Sequence, residues 1–459
     1  MDFFFVLTGY VVLLAVVGSL ISYLYYNDTF HPLILILPAA TFVYAYMPFD
    51  LYQSGELMQY FSISDLEYVQ VLNAAGLTAL FVGCIIGSNG LRRDPERRDT
   101  HFLHLTPAWQ DRLYKLGLVL GGIGFLLYAY QLSNAGGFVS AYSRAKGGGT
   151  AASGYLRDFT ILTLPAIILL YMSRYRRPWR HVHSILLFLF ASPHLVHGLL
   201  SARRGPTFLG IAILAAGWYL TRYKRPALWR LLTAGAAVGT LLLVLVTFRG
   251  EIYLGSDFLS GPPDLDTVVG QSFTKSTEAS YGNEFVYGTK AVLIARDADD
   301  FYWGTRYLTH VFIRPIPGFL WPTKYTDVGM GDMLFNAGVV PEEIPVSVAA
   351  EIPPGAAPGF IADFYVEFSW LALLAIFGLG WIFGALWRNN LLYGGVWTVI
   401  YGGIIGLSLY FVSQTFGAFL FRFLEIVIVS YLSWHYIRNR YVRDTSASAS
   451  LAQHPTTAA

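Results

Sequence analysis

The sequence predicts an all-α polytopic membrane protein with about eleven transmembrane helices, and three observations carry that reading. Of the 459 residues 55% are apolar and only 13% charged, against about 25% charged in an ordinary soluble domain. The apolar residues gather into continuous runs of roughly 16 to 24 residues, and about 20 suffice for a helix to cross the hydrocarbon core. These runs lack the alternation of polar and apolar residues that a membrane β-barrel requires, and no third design satisfies the backbone in lipid. A soluble enzyme with a single anchor is excluded.

Taken in order, the spans are expected at 3–25, 33–47, 68–87, 113–132, 156–172, 184–200, 206–221, 231–248, 361–387, 391–409 and 415–437. The first reads as a span rather than a cleaved signal peptide, because it is long, uninterrupted and lacks a basic flank, with no Lys or Arg before Arg92. Cys84, the single cysteine, lies within the third run (FVGCIIG) and reads as a small core residue. Orientation follows from the basic residues. Arg92, Arg93, Arg97, Arg98, Arg112 and Lys115, then Arg174 to Arg180, Arg222 to Arg230, Arg388 and Arg438 to Arg443 occupy alternate connections. The positive-inside rule places these connections in the cytoplasm, with the N-terminus outside and the C-terminus inside. The loop from Pro48 to Glu67, acidic and without Lys or Arg, fits the outer side.

Four segments follow: an N-terminal bundle of about eight spans (1–248), a large outer loop (249–360), three C-terminal spans (361–437) and a cytoplasmic tail (438–459) expected to be disordered for its small polar composition. The outer loop is far longer than an ordinary connection, and loops of that length are commonly functional. Asn283 to Arg296 reads as a short helix within it, between turn signals GPPD at 261 and EIPPGAAPG at 351. No fixed-period repeat and no inverted pair of interrupted spans is present.

Thirteen basic residues remain for the outer side against the positive-inside rule: Arg144, Lys146, Arg157, Arg203, Arg204, Arg249, Lys275, Lys290, Arg296, Arg306, Arg314, Lys324 and Arg422. Arg157, Arg203, Arg204 and Arg249 stand at span ends, and Arg422 lies within the last span, where lipid exposure costs about 2.5 to 3.5 kcal/mol. Two explanations stand: snorkelling to lipid headgroups, or a convergent basic cavity that would hold a phosphate by two-point guanidinium contacts. For Arg203 and Arg204 the cavity is favoured, because a short turn and Pro206, expected at a first helical position, hold the pair in place. Arg422 has a local alternative in an ion pair with Glu425.

Outer-side proton acceptors are Glu251, Asp363, Glu367, Glu425 and His310. Asp363 and Glu367, four residues apart, share a helix face. His194 and His197 have no accompanying carboxylate or cysteine, so they read as core or interfacial histidines rather than a metal site. KGGGT at 146 lacks the spacing of a phosphate-binding P-loop and reads as a flexible loop.

Four stretches resemble the Wzy-type O-antigen and oligosaccharide repeat-unit polymerases, the group that includes the enterobacterial common antigen polymerase. They are NAGGFVSAYSR (Asn134 to Arg144), SARRGPTFLGIAI (Ser201 to Ile213), FIRPIPGFLWPTKY (Phe312 to Tyr325) and GFIADFYVEFSWLALL (Gly359 to Leu374). With the span count and the position of the large loop, the resemblance covers most of the chain. Ser369 and Trp370 depart from it, standing where many members have Gly after an aromatic.

The resemblance implies a GT-C-like glycosyltransferase fold in a bacterial inner membrane and a reaction on lipid-linked sugars at the periplasmic face. A growing glycan would pass from undecaprenyl pyrophosphate to a hydroxyl of an incoming lipid-linked repeat unit, without a metal, a nucleotide or nucleic acid. On that footing Arg203, Arg204 and Arg422 clamp the pyrophosphate, with Arg249 and Arg314 assisting. Asp363 is the first choice of base and Glu251 the second, while Arg144, Lys146 and Lys324 help hold substrate. Tyr302, Trp303, Tyr307 and Trp321 would stack on sugars, and a separate chain-length regulator is an expected membrane partner. Two alternatives stay open: an O-antigen ligase using a similar basic pocket, and a transporter of an anionic solute.

Overall fold

The computed structural model describes residues 3–94, 106–145, 158–222, 224–260, 265–275, 283–329 and 357–453. Among the described residues the regular structure is entirely helical. Eleven bundle helices stand where the sequence places its spans. They are α1 (Phe3–Tyr25), α2 (Pro32–Gln53), α3 (Ile63–Ser88), α4 (Pro107–Asn134), α5 (Phe159–Ser173), α6 (His181–Leu200), α7 (Arg204–Thr221) and α8 (Leu228–Thr247), then, beyond the loop helices α9 (Leu265–Lys275) and α10 (Glu284–Ala298), α11 (Gly359–Tyr393), α12 (Val396–Ser413) and α13 (Phe416–Gln453).

Nine of these are long and apolar enough to cross a membrane, so the described chain is a multi-pass membrane protein. The other two are α5, which is shorter, and α7, whose first turn is Arg204, Gly205 and Pro206. The packing accounts for both: every residue from Thr163 to Ser173 is buried, and α7 packs against α5, α6 and α12. Interior helices meet protein rather than lipid, so they need less continuous apolarity.

Helix starts are set by side-chain caps that carry the helices beyond their apolar runs. The Ser62 hydroxyl accepts from Asp65 N at 3.2 Å, and Thr106 accepts from Trp109 N at 3.2 Å just before Pro107. Asn283 caps α10 through Phe285 N and Val286 N, confirming a helix at the expected place in the loop. The C-terminal segment differs from expectation. Helix α13 continues to Gln453, so 438–453 is helical rather than disordered, while 454–459 lie outside the described residues.

Helix α3 and the second half of α11 pack backbone to backbone. A Cβ on Gly83 would sit 2.1 Å from Phe377 O, and one on Gly384 2.2 Å from Cys84 O. Gly87 and Gly380 repeat the contact one turn along, so two small-residue stripes put backbone against backbone. Cys84 is buried there, the core residue expected of it. Ser369, at φ +51°, divides α11 into Gly359–Phe368 and Ala372–Tyr393.

The connections sort to two ends. Arg93 N donates to Tyr26 O, Arg177 pairs with Asp111, and Arg225 pairs with the buried Asp28, which also accepts from Trp387 Nε1 at 3.0 Å. The strongly basic connections therefore share one end. At the other end Arg296 pairs with Asp65 at 3.0 Å, Leu254 N donates to Tyr142 O at 2.7 Å, and the described parts of the large loop cover the helix ends.

Candidate functional site

The cavity at the loop-bearing end begins with a turn. Helix α6 closes with Ala202 in the left-handed region at φ +48°, and Arg203 N donates back to Gly198 O at 2.7 Å. The chain re-enters helix at once with Arg203 as the residue before α7 and Arg204 as its first residue, so Pro206 is third, still within the turn whose N–H groups lack helical partners. A Cβ at Gly198 would lie 2.3 Å from Thr207 Oγ1. That close approach fixes α6 against α7 and holds both arginines at one place.

Around them lies a cavity of about 360 Å³, lined by Arg203, Arg204, Arg249 and Arg422 together with Tyr128, Gln131, Tyr142, Asp158, His194, His197, Tyr410 and Gln414. The ends of α4 and α6, the starts of α5 and α7, the end of α8 and the α12–α13 junction each contribute. Four arginines that the sequence separates by more than two hundred positions thus meet, as the convergent-cavity reading expects. Arg422 donates to Ala418 O at 2.7 Å, lies over the Tyr410 ring at 4.9 Å and stands 3.7 Å from Asp158. Its partner is thus Asp158 rather than Glu425. Arg204 pairs with Glu284 at the start of α10, which brings the large loop to the rim. Burial holds the Arg249 guanidinium below its ordinary pKa, and a poorly solvated cation gains most from an arriving anion.

Arg314 does not line the cavity. It donates to Asp158 at 2.5 Å from behind, so it acts on the cavity through that carboxylate. Asp158, the one carboxylate among the described lining residues, carries no role in the sequence reading. Its only signal is a place at the mouth of a span beside Arg157, which itself lies outside the described residues. His194, buried as the core reading expects, and His197 also line the cavity. His194 Nε2 lies 3.0 Å from Thr163 Oγ1, and His197 Nδ1 lies 3.4 Å from Ser201 Oγ. No group of three or more metal-ligating side chains stands together among the described residues.

Asp363 and Glu367 do share a helix face, but away from the cavity. Asp363 is 1% exposed; it pairs with Arg306 at 3.0 Å and accepts from Tyr307 Oη and Phe416 N, each at 2.9 Å. Glu367 pairs with the same Arg306 and accepts from Gly304 N at 2.7 Å. Burial would lower the Arg306 pKa, yet Asp363 and Glu367 hold it raised. This knot ties the large loop to α11 and the start of α13, so Asp363 is placed as a structural ion-pair partner. Glu251 is exposed and is not among the lining residues.

Lys324 also has a structural place: its Nζ donates to the carbonyls of Ile313, Arg314 and Ile316, closing the turn that carries Arg314. Burial, then the charge of Arg314, lowers its pKa. Arg144 is exposed near the rim without lining it, and Lys146 lies outside the described residues. None of the four aromatic candidates lines the cavity. Tyr307 bonds Asp363, Tyr302 lies under Arg306, Trp321 donates to Asp327, and Trp303 is 60% exposed. The aromatic lining comes instead from Tyr128 and Tyr142, whose hydroxyls lie 2.8 Å apart, and from Tyr410.

No protein-family model, curated protein or solved structure matches the chain.

Proposed function

We propose that the protein is a membrane glycosyltransferase that polymerises lipid-linked oligosaccharide repeat units, with pyrophosphate-linked donor bound in the arginine cavity. The observation that carries the reading is the meeting of Arg203, Arg204, Arg249 and Arg422 around one cavity at the loop-bearing end of the bundle. Guanidinium groups match phosphate oxygens in pairs and remain charged at any working pH. Set in a poorly solvated site, such preorganised cations stabilise the charge that develops on a departing pyrophosphate, an effect worth several kcal/mol. The cavity volume of about 360 Å³ falls in the range of small-ligand sites, about 300–1,000 Å³. It suits a headgroup, while the lipid chain would stay in the bilayer.

In this reading the loop-bearing end faces the periplasm and the basic end the cytoplasm, in a bacterial inner membrane. The donor's phosphosugar bond supplies the free energy, so the scheme needs no nucleotide, and the arginines take the charge-stabilising part. The test is a gel of surface glycan from a strain lacking the gene, with and without its restoration. Collapse of a multi-repeat ladder to a single attached repeat, reversed on restoration, supports polymerisation. Loss of all attached glycan with accumulation of free lipid-linked polymer identifies a ligase, and an unchanged ladder overturns both.

A further inference from the structure

We infer that Asp158 is the general base of the transfer, restrained by Arg422 until the donor claims that guanidinium. The inference rests on the glycan-transfer reading above and goes beyond it by assigning the proton's destination. Among the described residues Asp158 is the only carboxylate that lines the cavity, and its side chain is 5% exposed. It sits immediately before α5, between Arg314 at 2.5 Å from the large loop and Arg422 at 3.7 Å from α13. The carboxylate thus stands where a phosphate would seek the same guanidinium of Arg422.

Two charges of one sign cannot share that cation without cost. An arriving pyrophosphate, with more charge and more acceptor oxygens, takes Arg422 from its long contact with Asp158. The displaced carboxylate gives up that contact and turns its oxygen to the cavity that now holds the donor. The oxygen that faced Arg422 is therefore offered to an acceptor hydroxyl only when a donor is bound, while Arg314 keeps the carboxylate in place. The other candidates are engaged or do not line the cavity: Asp363 and Glu367 are locked to Arg306, Glu251 is exposed, Glu425 and His310 are buried nearby without lining it, and His194 Nε2 is engaged with Thr163.

The acceptor hydroxyl oxygen forms a bond to the anomeric carbon of the donor glycan while its proton passes to Asp158 Oδ. The bond from that carbon to the pyrophosphate oxygen breaks, and its electron pair leaves with the pyrophosphate, whose added charge the arginines take up. The proton is then released from Asp158 to solvent.

The experiment uses the purified full-length chain and two readouts. Binding is measured with undecaprenyl pyrophosphate, and transfer in a single turnover with undecaprenyl-pyrophosphate-linked repeat units extracted from a strain lacking this gene. Asp158→Asn is expected to bind undecaprenyl pyrophosphate at least as tightly as wild type, because a competing negative charge has gone, and to transfer about 100-fold to 10,000-fold more slowly. Arg204→Ala is expected to show the opposite sign in binding. Asp158→Glu is expected to recover part of the transfer, with a shifted acid limb in the pH–rate profile. Transfer by Asp158→Asn within about tenfold of wild type overturns the base assignment. So does loss of binding in that variant, which would make Asp158 an organiser of the arginines. Failure of the wild type to bind undecaprenyl pyrophosphate overturns the underlying glycan-transfer reading instead, and the inference with it.

Discussion

Replacing Arg422 by alanine separates anion binding from folding, because its two neighbours answer differently. Arg422 is 20% exposed, donates to Ala418 O, lies over the Tyr410 ring at 4.9 Å and has a loose 3.7 Å contact with Asp158. A hydrogen bond to a charged group contributes about 1.5–3 kcal/mol, and about 1.4 kcal/mol is tenfold in a dissociation constant. Arg422→Ala is therefore expected to weaken undecaprenyl pyrophosphate binding by about 10- to 150-fold. Folding is largely spared, since Asp158 keeps Arg314 at 2.5 Å and the buried Glu425 keeps the charge of that same guanidinium nearby; the stability change is expected to stay within about 1 kcal/mol. Arg314→Ala inverts the pattern by leaving Asp158 with the loose contact alone, costing about 3 kcal/mol. Arg422→Lys should fall between wild type and alanine, keeping the charge and losing the two-point fork. The assay is a titration of purified protein with undecaprenyl pyrophosphate, followed by intrinsic tryptophan fluorescence, with thermal unfolding on the same preparations. Wild-type affinity in Arg422→Ala at an unchanged unfolding temperature would refute the cavity as the anion site.

Three further outcomes follow from the fold. Glu367→Ala removes one of the two carboxylates paired with the buried Arg306, and is expected to cost about 3–5 kcal/mol of stability, read as a fall in unfolding temperature. Gly384→Leu forces α3 and α11 apart, since even a Cβ would lie 2.2 Å from Cys84 O, and should destabilise by about 1–3 kcal/mol or more in a denaturation series, whereas Gly378→Ala, which meets nothing within 4 Å, should be near neutral. His310 is 2% exposed, and burial, then Arg314, Arg306 and Arg422, depress its pKa from 6.5 to about 3. Between those values the unfolded chain binds the proton and the folded chain does not. Stability should therefore fall as pH drops through that window by up to about 1.4 kcal/mol per unit, and His310→Gln should flatten the slope in pH-dependent unfolding.

How much of this was legible in the sequence differs by element. Every expected span has its helix, because a run that must satisfy its own backbone in lipid leaves few alternatives. Helix ends were less legible, since they are set by caps such as Ser62, Thr106 and Asn283, which lie outside the apolar runs. The arginine cavity was readable because Arg203, Arg204, Arg249 and Arg422 violate a rule about where charge belongs, and that violation needs a common cause. The carboxylates carried no such mark. Asp363 and Glu367 on one helix face look alike whether they face a substrate or an arginine from a distant loop, and only the approach of Arg306 decides. Asp158 gained its place from the folding of 312–316 and the last helix over it, a three-way meeting that no local pattern encodes.

The Arg306 knot has a practical bearing on how this molecule can be re-engineered. One guanidinium gathers carboxylates from the opening turns of α11, while Asp363 in turn receives Phe416 N at the head of the helix that carries Arg422. The large loop is therefore not a detachable module whose exchange would leave the bundle untouched. A chimera cut at 249 and 360 would import a foreign loop without the partner that Asp363 and Glu367 require, and would disturb the setting of Arg422 from a distance. Donor grafts should run from the loop through Phe416, so that arginine, carboxylates and helix head travel together.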